Sequence, residues 1–274
     1  MRQFSISRIL VPVDFSQRSE DAARAAKRLA AHFGAELILL HVVEPFHVDF
    51  AMLEPFEDSL RKLSQAHLAK RQSQLDAFGL PELQGANITR AIGEGTAAAE
   101  ILECAKSRNA DLVVMPTRGH SRLRGLLIGS VTAKVLDESD GPVLTVTHLK
   151  PEGDLADWRI RHILCAVDLG TRSDCVLRWG AALAEEFHAQ VSVLHVASDP
   201  KIGDRVAKAI EAAGIKAESL IAAGEPHKVV ADTAARLGAD LVIIGRGVAT
   251  DTLGRLRAQG YGIVRQAPCP VLSV

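Results

Sequence analysis

No stretch of the 274 residues stays apolar for anything like the roughly 20 residues that a membrane-crossing helix needs. The first apolar run, Ile9 to Val13, stops at Asp14 and is also too short for the core of a secretory signal. No targeting segment is visible, and a cytoplasmic location is expected. An excess of either charge is missing as well, since 32 Lys and Arg stand against 33 Asp and Glu. Without an overall positive field the chain has no general means of holding a polyanion, so neither nucleic acid nor a membrane is expected as a partner. Aromatic residues amount to only 4%, yet hydrophobic residues reach 47% against 24% charged, a balance that excludes a disordered or fibrous chain and supports a packed core. Cysteine is scarce: Cys104, Cys165, Cys175 and Cys269 show no Cys-x-x-Cys spacing and lie mostly in apolar surroundings. They read as reduced core residues, neither staples nor metal ligands.

The short signatures of common catalysts are missing too. There is no Gly-Lys-Ser/Thr of a P-loop, no His-Glu-x-x-His and no Gly-x-Ser-x-Gly elbow. Nothing in the sequence resembles a strong general base beside a nucleophile. No catalytic and no metal-ligating residue is assigned, and the chain reads as a non-enzyme.

What the sequence does contain is a repeat. Arg8-Ile-Leu-Val-Pro-Val-Asp14 resembles His162-Ile-Leu-Cys-Ala-Val-Asp168, and Leu39-Leu-His-Val42 resembles Val193-Leu-His-Val196. Asp168 follows Asp14 by 154 positions, and His195 follows His41 by the same 154. Further on, Ile92-Gly-Glu94 matches Ala223-Gly-Glu225 at a spacing of 131, which makes copy one longer by 23 residues around positions 46 to 80. Asn109-Ala-Asp-Leu-Val-Val114 likewise matches Gly238-Ala-Asp-Leu-Val-Ile243. The segment from His148 to Arg161 is the one shift in composition, so the division reads as domain 1 over 1–148, a linker over 149–160 and domain 2 over 161–274.

Within a copy, short Val/Ile/Leu runs alternate with amphipathic helical stretches. That pattern predicts an α/β class with a doubly wound, five-stranded parallel sheet in each of two tandem domains. Strands are expected near 8–14, 36–42, 87–92, 111–115 and 142–147. A first helix should be capped by Ser16, present Ala22, Ala25, Ala26 and Leu29 to the sheet, and end at Gly34. A second is expected over 56–78. The excess of copy one should lengthen that helix and add a flap at 45–55, where Phe46, Phe50, Met52, Leu53 and Phe56 can form a lid, a partner surface or core.

In open parallel sheets ligands gather at the carboxyl ends of the strands. Asp14, the stretch from His41 to Val43, and the stretch from Met115 to Ser130 all fall there. A helix starting at Gly129-Ser130 offers unpaired amides and a positive dipole end to a phosphate. Gly119, nine residues, then Gly129 and Ser130, together with Asp14, resemble the universal stress protein family. Its nucleotide-binding members carry Gly-x2-Gly-x9-Gly-[Ser/Thr] in this place. The resemblance covers both copies and departs at Pro116, where the family has its first Gly and where proline has no amide to donate.

The resemblance implies a Rossmann-like, adenine nucleotide alpha hydrolase-like fold. It implies that Pro12, Val13, Asp14 and Val42 surround an adenine, that Met115, Pro116 and Gly119 border ribose and phosphates, and that Gly129, Ser130 and Val131 hold the phosphates. ATP with Mg2+ in domain 1 is the implied cofactor. The strands Pro142–Val146 and Pro270–Val274, at the sheet edges, are expected to pair across the copies as in family dimers, making the chain a pseudo-dimer and leaving a homodimer open. Asp14 reads equally as a ligand contact and as a cap for loop amides. His41 and His195 read as structural histidines, and Arg118, His120, Arg122 and Arg124 as a solvated basic loop or as phosphate contacts.

Copy two is expected to be degenerate. Val248 falls opposite Gly119, Arg257 or Ala258 opposite Gly129, and Ala258 or Gln259 opposite Ser130, while Arg246, Arg255 and Arg257 supply only point charges. The function implied is an ATP-binding, regulatory stress-response protein. The alternatives are a weak ATP hydrolase or nucleotidyl-transfer enzyme on the same fold, and a ligand-free interaction scaffold.

Overall fold

The computed structural model describes residues 4–44, 57–79, 81–117, 128–146, 159–199, 202–246 and 255–274. The flap at 45–55, Gly119 and most of the linker lie outside the described residues.

The first half runs β1 (Arg8–Pro12), α1 (Gln17–Phe33), β2 (Glu36–Val43), α2 (Glu57–Ala77), β3 (Ile88–Glu94), α3 (Ala97–Ser107), β4 (Leu112–Pro116), α4 (Ser130–Glu138) and β5 (Val143–Val146). The second runs β6 (His162–Val167), α5 (Ser173–Phe187), β7 (Gln190–Val196), α6 (Gly203–Ala212), β8 (Glu218–Ala222), α7 (Pro226–Leu237), β9 (Leu241–Ile244), α8 (Arg255–Gln266) and β10 (Val271–Ser273). Local chemistry sets these bounds. The Ser16 hydroxyl accepts the Ser19 N–H at the start of α1, and Gly34 ends the helix with a left-handed φ of 67°. Ala22, Ala25 and Ala26 are fully buried, so α1 lies close on the sheet.

All ten strands join one sheet in the order β3-β2-β1-β4-β5-β10-β9-β6-β7-β8. Neighbours run parallel within each half. The exception is the seam, where β5 and β10 pair antiparallel with Leu144 opposite Leu272. The last strand of each half is an edge of that half alone and an interior strand of the joined sheet. Helices cover both faces, which is why β1, β4, β5 and β9 are buried nearly throughout instead of alternating. One core lies under α1 and α5 and a second under α3, α4, α7 and α8, and each draws residues from both halves.

The strand register corrects the repeat. Leu40 pairs with Ala91 and its counterpart Leu194 with Leu220, so from β3 to β4 the copies are 129 positions apart. Gly224 is therefore the counterpart of Gly95, not of Gly93. Both hold a positive φ, 154° at Gly95 and 139° at Gly224, and both precede a helix start. The insertion in copy one is then 25 residues, 154 less 129, where the sequence comparison gave 23. Its described part lengthens the helix: α2 has 21 residues and α6 has 10.

Around the seam the halves touch through matched positions. Phe33 meets its counterpart Phe187 edge to face at 5.8 Å, and His32 lies 2.9 Å from its counterpart Glu186. Arg246 of the second half donates to the carbonyls of Ser139 and Gly141 (2.8 Å) at the end of α4. Tyr261 donates to Ala133 O at 3.2 Å. Among the described residues no helix is long and apolar enough to cross a membrane.

Candidate functional site

Reading outward from the centre of the first half, the strand order reverses between β1 and β4. Strand β1 connects through α1 to β2 on one side, while β4 and β5 lie on the other. The helices flanking this point leave a crevice at the carboxyl ends of the strands. A cavity of about 290 Å³ opens there.

Nine of the ten residues singled out from the sequence line it: Pro12, Val13 and Asp14 after β1, Val42 on β2, Met115 and Pro116 on β4, and Gly129, Ser130 and Val131 at the start of α4. The tenth, Gly119, is outside the described residues, as are Arg118, His120, Arg122 and Arg124. The cavity also takes in Ala97 and Ile101 of α3, which the sequence reading missed. Their signal is Gly95, just before the helix, which the sequence comparison passed over by matching Gly93 to Gly224. It brings a second helix N-terminus, capped by Thr96 without a side-chain hydrogen bond, to the same crevice.

Strand β1 ends at Pro12, two residues short of the expected strand end, because the chain turns sharply at Phe15, whose φ is 61°. Leu169 repeats that conformation in copy two with a φ of 59°. A left-handed, non-glycine residue is costly, and its presence in both copies marks a turn that the surroundings enforce. The turn lets Asp14 Oδ1 accept from the Ser16 N–H at 3.1 Å and from the Ser16 hydroxyl at 2.5 Å. Asp168 does the same for Gly170 N–H at 2.8 Å and the Ser173 hydroxyl at 3.1 Å. The capping role of this aspartate is thus present in both copies, and each aspartate also lines the cavity of its own copy.

His41 is held as the sequence reading expected of a structural histidine. Its Nδ1 lies 2.7 Å from Val13 O, and His195 repeats the contact to Val167 O at 2.8 Å. Burial lowers the pKa of His41 below 6.5, and the positive charges of Arg71 and His67 on α2 push the same way against the Val13 hydrogen bond and Asp14. The neutral ring then donates through Nδ1–H and lies against Phe15, with centroids 4.2 Å apart.

The start of α4 borders the cavity. Gly129 N–H is already given to Thr117 O at 3.0 Å, which corrects the expectation that its own amide is free. Gly129 O accepts the first helical bond from Ala133 N–H at 2.8 Å, and the amides of Ser130, Val131 and Thr132 precede that bond. The Thr132 hydroxyl turns inward to Pro116 O at 3.0 Å, tying α4 to the end of β4. Pro116 thus supplies a carbonyl anchor where it lacks an amide. Among the described residues no group of three or more His, Cys, Asp and Glu side chains gathers to hold a metal.

Copy two has a cavity in the matching place, about 220 Å³, lined by Val167, Asp168, His195 and Val196. Its other walls differ. Pro226 stands where copy one has Ala97, Gly245 where it has Pro116, and Gly260 where it has Thr132. Gly245 is there for packing, since a Cβ would come within 2.9 Å of Arg172 Cβ. Helix α4 starts thirteen residues before β5, whereas the described part of α8 already begins sixteen residues before β10. Arg246, considered from sequence as a phosphate attractor, is instead turned onto Ser139 and Gly141 of the other half. Burial also pushes the thiols of Cys165 and Cys269 up to about 12, which fits inert core residues.

The family model described as the Universal stress protein family matches residues 5–147 and again 159–208. A universal stress protein of Methanocaldococcus jannaschii is 34% identical over 148 residues, which are 53% of this chain and 84% of that protein. One of Bacillus subtilis is 32% identical over 148 residues, 51% of this chain and 98% of its own length. The crystal structure of a universal stress protein from Archaeoglobus fulgidus covers 98% of this chain and 96% of its own, with a TM-score of 0.71 at 20% identity, a likeness of fold. The chain belongs to the universal stress protein family, with the family's domain present twice in tandem.

Proposed function

We propose that the protein is a cytoplasmic regulator that binds ATP in its first domain, over residues 1–148, and responds by changing how it meets its partners. The observation that carries this reading is the start of α4. Amides of Ser130, Val131 and Thr132 precede the first helical hydrogen bond, and this turn borders a cavity at the sheet's reversal point. Such a terminus holds phosphate by direct N–H donation and by its dipole. Apolar walls from Val13, Val42, Met115 and Ile101 offer a slot for a purine, next to the backbone of Pro12 to Asp14.

Bound nucleotide supplies triphosphate charge at the helix start. The chain's own part is to orient it: Gly129, fixed by Thr117, leaves room for a close approach, and the Ser130 hydroxyl adds a donor. Mg2+ would travel with the phosphates, as this ion usually does, keeping most of its ligands as water and phosphate oxygen. We assign no catalytic residue, and binding is the activity proposed. Protein purified and then denatured should release an adenine nucleotide, and Gly129→Val should lower ATP affinity at least tenfold by calorimetry while circular dichroism stays unchanged. Full affinity in that variant would overturn the reading.

A further inference from the structure

A second cleft lies on the α1 and α5 side of the sheet, at the seam between the halves. Its volume is about 420 Å³, and its floor is apolar, made by Leu29, Ile160 and Phe187. Arg28, His32, Arg159 and Arg161 surround it, with His32 Nε2 2.9 Å from Glu186 Oε1. The Arg159 and Arg161 side chains have no ion pair among the described residues and are exposed. Their backbone is fixed all the same, since Ile160 is buried and the Arg161 N–H is held by Asp240 Oδ2 at 2.8 Å.

The repeat provides an internal control for whether the fold requires those charges. At the spacing of 154, the floor residues Leu29 and Phe187 have the counterparts Leu183 and Phe33, and Ile160 has Ile6. The floor is therefore duplicated. The rim is not: Arg28 corresponds to Ala182, His32 to Glu186, Arg159 to Ser5 and Arg161 to Ser7. Packing at the seam dictates the apolar positions and leaves those of the rim free to vary. Arg159 and Arg161 thus stand on one side of the pseudo-twofold axis only, where the other copy carries serines.

We infer that this cleft is a binding site for a small phosphate-bearing anion, separate from the nucleotide pocket. The Arg159 and Arg161 guanidinium groups beside one cavity suit a multivalent oxyanion, because each can donate two parallel N–H bonds to it. The cavity is larger than a lone phosphate requires. A long polyanion is disfavoured, since the chain as a whole has a net charge of -1 and offers it no continuous positive track.

Inorganic pyrophosphate is a suitable probe, titrated into the full chain by calorimetry at about 0.15 M salt, where weak surface attraction is screened. Saturable binding of one pyrophosphate per chain is expected, weakened at least tenfold by Arg159→Ser with Arg161→Ser, the residues that the other copy carries in those places, and unchanged by Gly129→Val. The site would be overturned by the absence of saturable binding. It would equally be overturned if Gly129→Val removed the binding and the double variant did not, or if binding appeared only after Glu152, Asp154 and Asp157 of the linker were neutralised. Failure of ATP binding at Gly129 leaves this test untouched.

Discussion

His41 sits where a change of charge has consequences for the whole first half. Its ring is buried, donates to Val13 O, and faces Arg71 and His67, with Asp14 as the opposing charge. The pKa in the folded protein is therefore below the ordinary 6.5, chiefly through burial. As pH falls below 6.5 the unfolded chain takes up this proton before the folded one does, so stability present above that pH is lost on acidification. His41→Asn keeps a donor near Val13 O and removes the titration. Urea unfolding compared at about pH 7.5 and 5.5 should show a smaller loss in the variant than in the parent; equal losses would sink this account. Among single residues, Asp14, Gly129 and Ser130 were legible because spacing and chain position marked them. The bond from Gly129 N–H to Thr117 O was not legible, because a glycine before a helix reads the same whether its amide is free or spent.

At the scale of elements, the difference between the two pockets comes from helix starts. Both copies build the end proposed for the adenine alike, with the aspartate turn, the histidine bonded to the backbone, and the valine after it. They diverge where the phosphates would lie. The described part of α8 reaches back three residues further than α4, measured from the strand each leads into, so helix already runs where α4 has its first turn. Pro226 at the start of α7 has no N–H to donate in the place of Ala97. ATP titrated into the chain should therefore occupy one site, lost with Gly129→Val and little affected by Asp168→Ala. Two equal sites would refute the assignment. The sequence already placed Arg257 or Ala258 opposite Gly129, and that much of the asymmetry could be read by counting. The role of Arg246 could not, because its partners Ser139 and Gly141 are more than a hundred residues away and belong to the other copy. Insertion length was misjudged for a related reason, since Gly93 and Gly95 are both glycines before α3 and only the pairing of Leu40 with Ala91 chooses between them.

The whole molecule is organised about the β5–β10 seam, whose register has the form of a twofold contact. Leu144 pairs with Leu272, its own counterpart, while Val143 pairs with Ser273 and Thr145 with Val271, the exchanged positions on either side. The contact of Phe33 with Phe187 repeats this counterpart-to-counterpart form in the helix layer. An interface of that kind is self-complementary, so one half contains nearly all that it needs to pair with a second copy of itself. In the full chain the requirement is met internally, and the outer edges are β3 and β8. Cutting the chain after residue 148 would instead leave β5, with Val143, Leu144, Thr145 and Val146 all buried in the intact protein, as an open edge. An unprotected apolar edge recruits another strand. The fragment 1–148 should accordingly elute as a dimer by light scattering while the full chain shows the mass of a single chain. Leu144→Asp in the fragment should shift it toward monomer or aggregate, because a charge opposite its own copy at the centre of the pairing is repelled. A folded, monomeric parent fragment would mean that the two-half arrangement depends on contacts present only between unlike copies, such as Arg246 with Ser139 and Gly141, and not on the seam itself.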